Sequence, residues 1–170
     1  MRTFDEPRNP RLALLADHAQ ISALIERLLM RVRANEETEA LRVWQGLEPA
    51  LLAHLDAEEA YVLPALDDTE HAECGRIRDE HAQIRRTVGE LGMALELHTA
   101  RAEPIVAFCA FLGAHAERED SLLYPSAERH MPVVVARSLV SRLRAIGVGS
   151  KRPSRGGGDH PAGPAKPSRR

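Results

Sequence analysis

Apolar residues recur every three to four positions along most of this chain, which is the spacing of one buried face of an α-helix. In the first such segment the apolar face includes Leu14, Ile21 and Leu28. Pro49 falls inside the second segment and is expected to kink that helix or break its start. The pattern predicts four long helices and a shorter fifth, at about residues 11–34, 38–61, 70–98, 103–128 and 132–146, the last ended by Gly147.

The connections between these predicted helices are short, so neighbouring helices should run antiparallel. We therefore expect an all-α fold, an up-down-up-down four-helix bundle with a short fifth helix, formed by residues 1–147 as one domain. Residues 148–170 are rich in Gly, Pro, Ser, Lys and Arg. Because that segment has almost no apolar side chains to bury, it is expected to be a disordered basic tail.

Composition narrows the functional classes. A chain of 170 residues with 44% hydrophobic residues suits one domain with an ordinary core. The net charge of −2 gives no reason to expect nucleic acid as a partner. Cys74 and Cys109 are the only cysteines and form no C-x-x-C pair, which favours a reduced, cytoplasmic setting. Neither a signal peptide nor an apolar run long enough for a membrane is evident, and the sequence leaves any protein partner open.

The most informative feature is an internal repeat. His18-Ala19-Gln20-Ile21 returns as His81-Ala82-Gln83-Ile84. The set of His54, Glu58 and Pro64 returns with the same internal spacing as His115, Glu119 and Pro125. A single His-x-x-x-Glu is uninformative, but two copies interleaved with a repeated tetrapeptide predict two similar halves.

Each half can supply two imidazoles and one carboxylate. Residues four apart lie on the same face of a helix, so each His-x-x-x-Glu presents both groups to one side. Imidazole with carboxylate suits iron, manganese, zinc or nickel better than calcium or magnesium, and iron fits well. Two such ions would keep about two positions open for dioxygen, nitric oxide, peroxide or azide. The predicted ligands are His18, His54, Glu58, His81, His115 and Glu119.

Other sites are not supported. The sequence contains no Glu-x-x-His of the ferritin-like di-iron proteins, no His-Glu-x-x-His of zinc proteases, no phosphate-binding glycine loop and no nucleophile elbow. Asp17, Glu59, Glu80 and Asp120 adjoin the predicted ligands and are expected to be solvated or to contact the ligands from outside. Tyr61 and Tyr124 either cover open metal positions or pack in the core, and packing is favoured.

The order His18, His54-x-x-x-Glu58, His81, His115-x-x-x-Glu119 resembles the hemerythrin-like, or HHE, cation-binding domain. The resemblance covers about residues 11–130 and extends to Glu59 after Glu58 and to Leu123-Tyr124-Pro125. It implies a hemerythrin-like bundle with two iron ions bridged by oxide or hydroxide. It further implies that the four histidines bind iron terminally and that the two glutamates bridge.

One position departs from the oxygen-carrying members of that family, which have a fifth histidine one turn from the third-helix ligand. Here Ile77 and Arg85 lie one turn either side of His81. The chain is therefore more similar to bacterial HHE proteins linked to nitric oxide, iron-sulfur repair or oxidative stress. The repair proteins also carry a cysteine-bearing N-terminal segment, and this sequence shows none.

Three functions remain open at this point. The first, which we favour, is a di-iron protein that binds or senses dioxygen, nitric oxide or peroxide. The second is a di-iron enzyme acting on peroxide or nitric oxide in stress defence or iron-sulfur repair. The third is a metal-free helical interaction domain. Metal content separates the third from the others, and steady turnover separates the second from the first.

Overall fold

The structure is a computed structural model that describes residues 9–149, and every regular element in that range is helical. The longer helices are α1, α2, α4, α5 and α7, and two short helices, α3 and α6, follow π-helical turns. In order, the elements are α1 Pro10–Arg33, α2 Glu37–Ala57, a first π-turn Glu58–Val62, α3 Leu63–Leu66, α4 His71–Glu96, α5 Ala102–Arg118, a second π-turn Glu119–Leu123, α6 Tyr124–His130 and α7 Val133–Gly149.

Local sequence sets the helix ends. The side chain of Asn9 accepts a hydrogen bond from the backbone N–H of Leu12, and Pro10 occupies the first helical turn of α1. The helices α1 and α4 are each followed by a residue in the left-handed region, Asn35 with φ 56° and His98 with φ 54°. These two residues are separated like His18 and His81, so the repeat extends to the way both helices stop.

The bundle consists of α1, α2, α4 and α5, and each of these four helices packs against two of the others. α1 packs against α2 and α5, and α4 packs against the same two helices. α7 lies across α1 and α2. The predicted all-α, up-down-up-down bundle with a fifth helix is confirmed.

Two apolar layers divide the interior along the bundle axis. Along α1, Leu14 belongs to one layer and Ile21 to the other, with the buried His18 between them. Along α4, Ile77 and Ile84 flank His81 in the same way. The polar cluster described below is thus enclosed between two hydrophobic layers, which keep bulk water from it.

Several predicted boundaries differ from the structure. α2 runs through Pro49 as one helix, so the broken start is wrong, since burial of Leu47 and Leu51 on its inner face outweighs one missing backbone donor. α7 continues to Gly149 and so passes the predicted end at Gly147. Residues 150–170, which include most of the predicted tail, lie outside the described residues. No helix within 9–149 has both the length and the hydropathy to cross a membrane.

Candidate metal centre

All six predicted ligands converge inside the bundle. They form two groups, each containing two histidines from one half of the chain and both glutamates. Within each group the potential ligand atoms lie within 4.8 Å of one another. All six side chains are at most 8% exposed: His18, His54, Glu58, His81, His115 and Glu119.

The two glutamates lie between the halves and face histidines of both. An oxygen of Glu119 lies 3.3 Å from Nε2 of His18, and its other oxygen lies 3.4 Å from Nε2 of His81. Glu58 Oε2 lies 3.4 Å from Nε2 of His54 and also 3.4 Å from Nε2 of His81. Carboxylates placed in this way are able to bridge two cations, one in each half.

A π-turn begins at each of these glutamates. The N–H of Leu63 bonds to the carbonyl of Glu58, and the N–H of Tyr124 bonds to the carbonyl of Glu119. Both are bonds across five residues, which widen the helix locally and are common at functional sites. The sequence analysis missed these turns, because hydrophobic spacing does not distinguish a single π-turn from continuous α-helix.

Each histidine of the cluster is held from outside by a carboxylate at its Nδ1 atom. These carboxylates belong to the residues that directly precede a predicted ligand histidine or directly follow a predicted ligand glutamate. A donor bond from Nδ1 leaves Nε2 directed inward, the arrangement found for metal-binding histidines. The four pairs are His18–Asp120 at 2.8 Å, His54–Asp17 at 2.8 Å, His81–Glu59 at 3.0 Å and His115–Glu80 at 2.7 Å.

The cluster concentrates negative charge and lone pairs that protein groups pair only loosely. Glu58 Oε2 and Glu119 Oε2 are buried, and the nearest imidazole nitrogens lie 3.3–3.4 Å away. The Nε2 atoms of His18 and His54 face each other at 3.0 Å. That is about the separation of two adjacent ligands that are each about 2.1 Å from one ion. A proton or a metal ion must lie between such atoms, so the donor set fits a cation.

The histidine pKa values report the same charge imbalance. Burial disfavours the charged form of His18, but its hydrogen bond to Glu119 and the charges of Glu58 and Glu119 raise its pKa to about 9. The same balance raises the pKa of His81 to about 10. Burial opposes ionisation of Glu119, yet three histidine hydrogen bonds hold its pKa well below the usual value. Without a metal the cluster therefore holds protons, which a bound cation would displace.

Tyr124 adds a hydroxyl to one half only. Its oxygen lies 2.6 Å from Glu58 Oε1 and 2.8 Å from His18 Nε2, and the side chain is fully buried. Burial, followed by the charges of Glu119 and Glu58, raises the pKa of the phenol well above its usual value, so the hydroxyl keeps its proton. The repeat places Leu63 at the equivalent position of the other half.

The ring of Tyr124 packs in the apolar layer that contains Leu66, as predicted, and its hydroxyl in addition reaches the cluster. In an uninterrupted α-helix the fifth residue after Glu119 would point about 140° away from it. The second π-turn brings Tyr124 back toward the cluster instead. Tyr61 is half-buried and packs against the apolar layer that contains Leu66. Its predicted packing is confirmed.

Comparison with known proteins agrees with this geometry. The family model of the hemerythrin HHE cation binding domain matches residues 9–127, which span α1 to the start of α6 and include all six converging residues. Neither the curated proteins nor the solved structures contain a match to this chain. Since the matched region covers more than half of the sequence, the chain belongs to the hemerythrin HHE cation-binding domain family.

Proposed function

We propose that this protein binds two iron ions at the buried cluster. His18 and His54 bind one ion, His81 and His115 bind the other, and the two glutamates bridge them together with an oxide or hydroxide. One observation carries the proposal. The two histidines of each half form a separate group of possible ligands, and both groups share the same two glutamates. A single-ion site has no need for this duplication.

The donor set favours iron over harder cations. Calcium and magnesium prefer sites made entirely of oxygen, whereas four imidazoles with two carboxylates suit a transition metal. Two six-coordinate ions offer about twelve positions, and the proposed ligands with one bridging oxide fill about ten of them. When bound, iron supplies redox chemistry and about one open position on each ion.

The chain's own residues orient and enclose that centre. The carboxylates of Asp17, Glu59, Glu80 and Asp120 fix each imidazole ring through Nδ1 and increase its strength as a ligand. The hydroxyl of Tyr124 donates a hydrogen bond to Glu58 and so restrains that carboxylate. The two apolar layers exclude bulk water, which strengthens these interactions.

The function we propose is the binding or sensing of dioxygen, nitric oxide or peroxide at the open iron positions. Enzymatic use of the same positions on peroxide or nitric oxide, in stress defence or iron-sulfur repair, is the alternative. A metal-free interaction domain is disfavoured, because four imidazoles and two carboxylates would then be buried together with only protons to balance the charge.

Nitric oxide addition to the anaerobically reduced protein tests the proposal. We expect a stoichiometric change in the visible spectrum that is abolished in Glu58→Ala and preserved in His71→Ala, since His71 is exposed and outside the cluster. A spectrum unchanged by nitric oxide, dioxygen and peroxide would overturn it. Sustained turnover of peroxide or nitric oxide would assign the protein to the enzymatic alternative.

A further inference from the structure

An apolar cavity of about 40 Å³ adjoins the cluster on one side of the bundle. It lies between α1, α2 and α5 and touches the imidazoles of His18, His54 and His115. At its outer end are Ser22 and Gly113, which are exposed, whereas the three imidazoles are buried. The cavity therefore extends from the surface toward the proposed iron ligands.

The internal repeat allows the two sides of the bundle to be compared position by position. The seam between α1 and α5 has small side chains at Ser22, Gly113 and Ala116. The equivalent positions, found with the spacing of the repeated histidines, are Arg85 on α4 and Leu52 and Leu55 on α2, of which Leu55 also lines the α1–α5 cavity. Arg85 and Leu52, which do not line the cavity, thus put large side chains where the α1–α5 side has Ser22 and Gly113.

Arg85 closes its seam by crossing it. Its guanidinium donates hydrogen bonds from α4 to Asp56 at 2.9 Å and to Glu59 at 3.1 Å. The repeat retains both acidic positions on the first side, as Glu117 and Asp120, but Ser22 stands in place of the arginine. The α1–α5 side therefore has both carboxylates but no arginine at this position to bond to them across the seam.

We propose that the α1–α5 cavity is the path by which a small neutral molecule reaches the cluster, on this face of the bundle rather than on the α2–α4 face. The walls between the mouth and the imidazoles are aliphatic, chiefly Ile21, Ile25 and Leu112. Such a cavity favours uncharged, weakly hydrated species and penalises the desolvation of an anion. The cavity thus selects neutral diatomic molecules, dioxygen and nitric oxide, over anions such as azide.

This inference rests on the proposed function for the identity of the ligand, but the cavity itself can be tested without iron. Xenon is a neutral apolar probe that occupies dry cavities of this kind. Xenon NMR of the full-length protein should show a saturable, protein-dependent shift. Ser22→Arg, which recreates the pairing of Arg85, and Ala116→Leu, which puts a larger side chain on the cavity wall, should each lose that shift. Ser22→Ala and Ala110→Leu, the latter exposed on α5 outside the cavity, should keep it.

A second measurement follows the combination of nitric oxide with the reduced, iron-loaded protein by stopped flow. Ser22→Arg and Ala116→Leu should slow this reaction at unchanged iron content, while both control variants match the wild type. Xenon shifts or nitric oxide rates equal in all five proteins would overturn the access path and leave the proposed function standing. Xenon binding in a protein that takes up no iron would overturn the proposed function and leave the cavity assignment standing.

Discussion

The Nδ1 atom of His54 lies 2.8 Å from Oδ2 of Asp17, the residue that directly precedes His18. One dipeptide of α1 therefore supplies a proposed ligand and also orients a ligand on α2. His115 and Glu80 repeat this relationship in the second half at 2.7 Å. Because each histidine of the cluster is held by a residue adjacent to another proposed ligand, the cluster is assembled only when all four helices of the bundle are packed.

We expect Asp17→Ala to weaken metal binding by about 10- to 100-fold, because the imidazole of His54 loses the group that sets its tautomer and orientation. Asp17→Asn should weaken metal binding less than Asp17→Ala, since the amide oxygen of the asparagine still accepts a hydrogen bond from Nδ1 of His54. Metal release to a competing chelator measures the effect. Asp79→Ala, an exposed carboxylate on α4, is the control. Release as slow from Asp17→Ala as from the control would contradict the orienting role.

Removing a bridging carboxylate should be more damaging than removing one imidazole. Glu58→Ala or Glu119→Ala deprives both ions of a ligand and is expected to lose nearly all iron, whereas His18→Ala should retain about one ion per chain. Metal analysis of the purified variants gives the comparison. His71→Ala should retain the wild-type content. Equal iron loss in the glutamate and histidine variants would contradict the assignment of the two glutamates as bridging ligands.

Tyr124→Phe should destabilise the metal-free protein. The change keeps the ring but removes the donor that satisfies Glu58 Oε1 in a buried position. We expect the free energy of unfolding to fall by about 1–3 kcal/mol in the metal-free protein. The loss should be smaller in the iron-loaded protein, where the carboxylate is already neutralised. Urea denaturation measures both values. Tyr61→Phe is the matched control, and an equal effect of the two substitutions would contradict this role of the Tyr124 hydroxyl.

The sequence predicted the features that follow from regular spacing along one helix, and it did not predict those that depend on contacts between helices. Helical periodicity was sufficient for the bundle, because each long helix has one continuous apolar face. The duplicated histidines and glutamates were sufficient to predict which side chains converge. The sequence did not decide whether four acidic residues are solvated or contact the histidines: Asp17, Glu59, Glu80 and Asp120. Their partners lie on other helices, so only tertiary packing determines which contact each makes.

The contact of the Tyr124 hydroxyl with the cluster could not be predicted from the sequence. Its place in the cluster depends on the second π-turn, and one inserted backbone position changes the direction of every later side chain. The unequal seams were visible in the sequence as Ser22 against Arg85. Their significance appeared only once the repeat had been mapped onto opposite faces of the bundle.

We expect the reduced protein to react with dioxygen without holding it stably. Neither neighbour of His81 closes an open position, because Ile77 is buried in an apolar layer and Arg85 is hydrogen-bonded to Asp56 and Glu59. Reduction without air, admission of oxygen and repeated deoxygenation, followed by visible spectroscopy, tests this. Direct conversion to the oxidised form is the expected result. Recovery of a stable oxygenated form over several cycles would show that the protein is a carrier.

The most direct test of the central claim is metal analysis of the full-length protein expressed in iron-rich medium and purified in air. The account predicts about two iron ions per chain, with near-ultraviolet bands from charge transfer between a bridging oxide and oxidised iron. Both should disappear together in Glu58→Ala. A protein that carries a single zinc ion, or that folds fully with no metal under these conditions, would contradict the account.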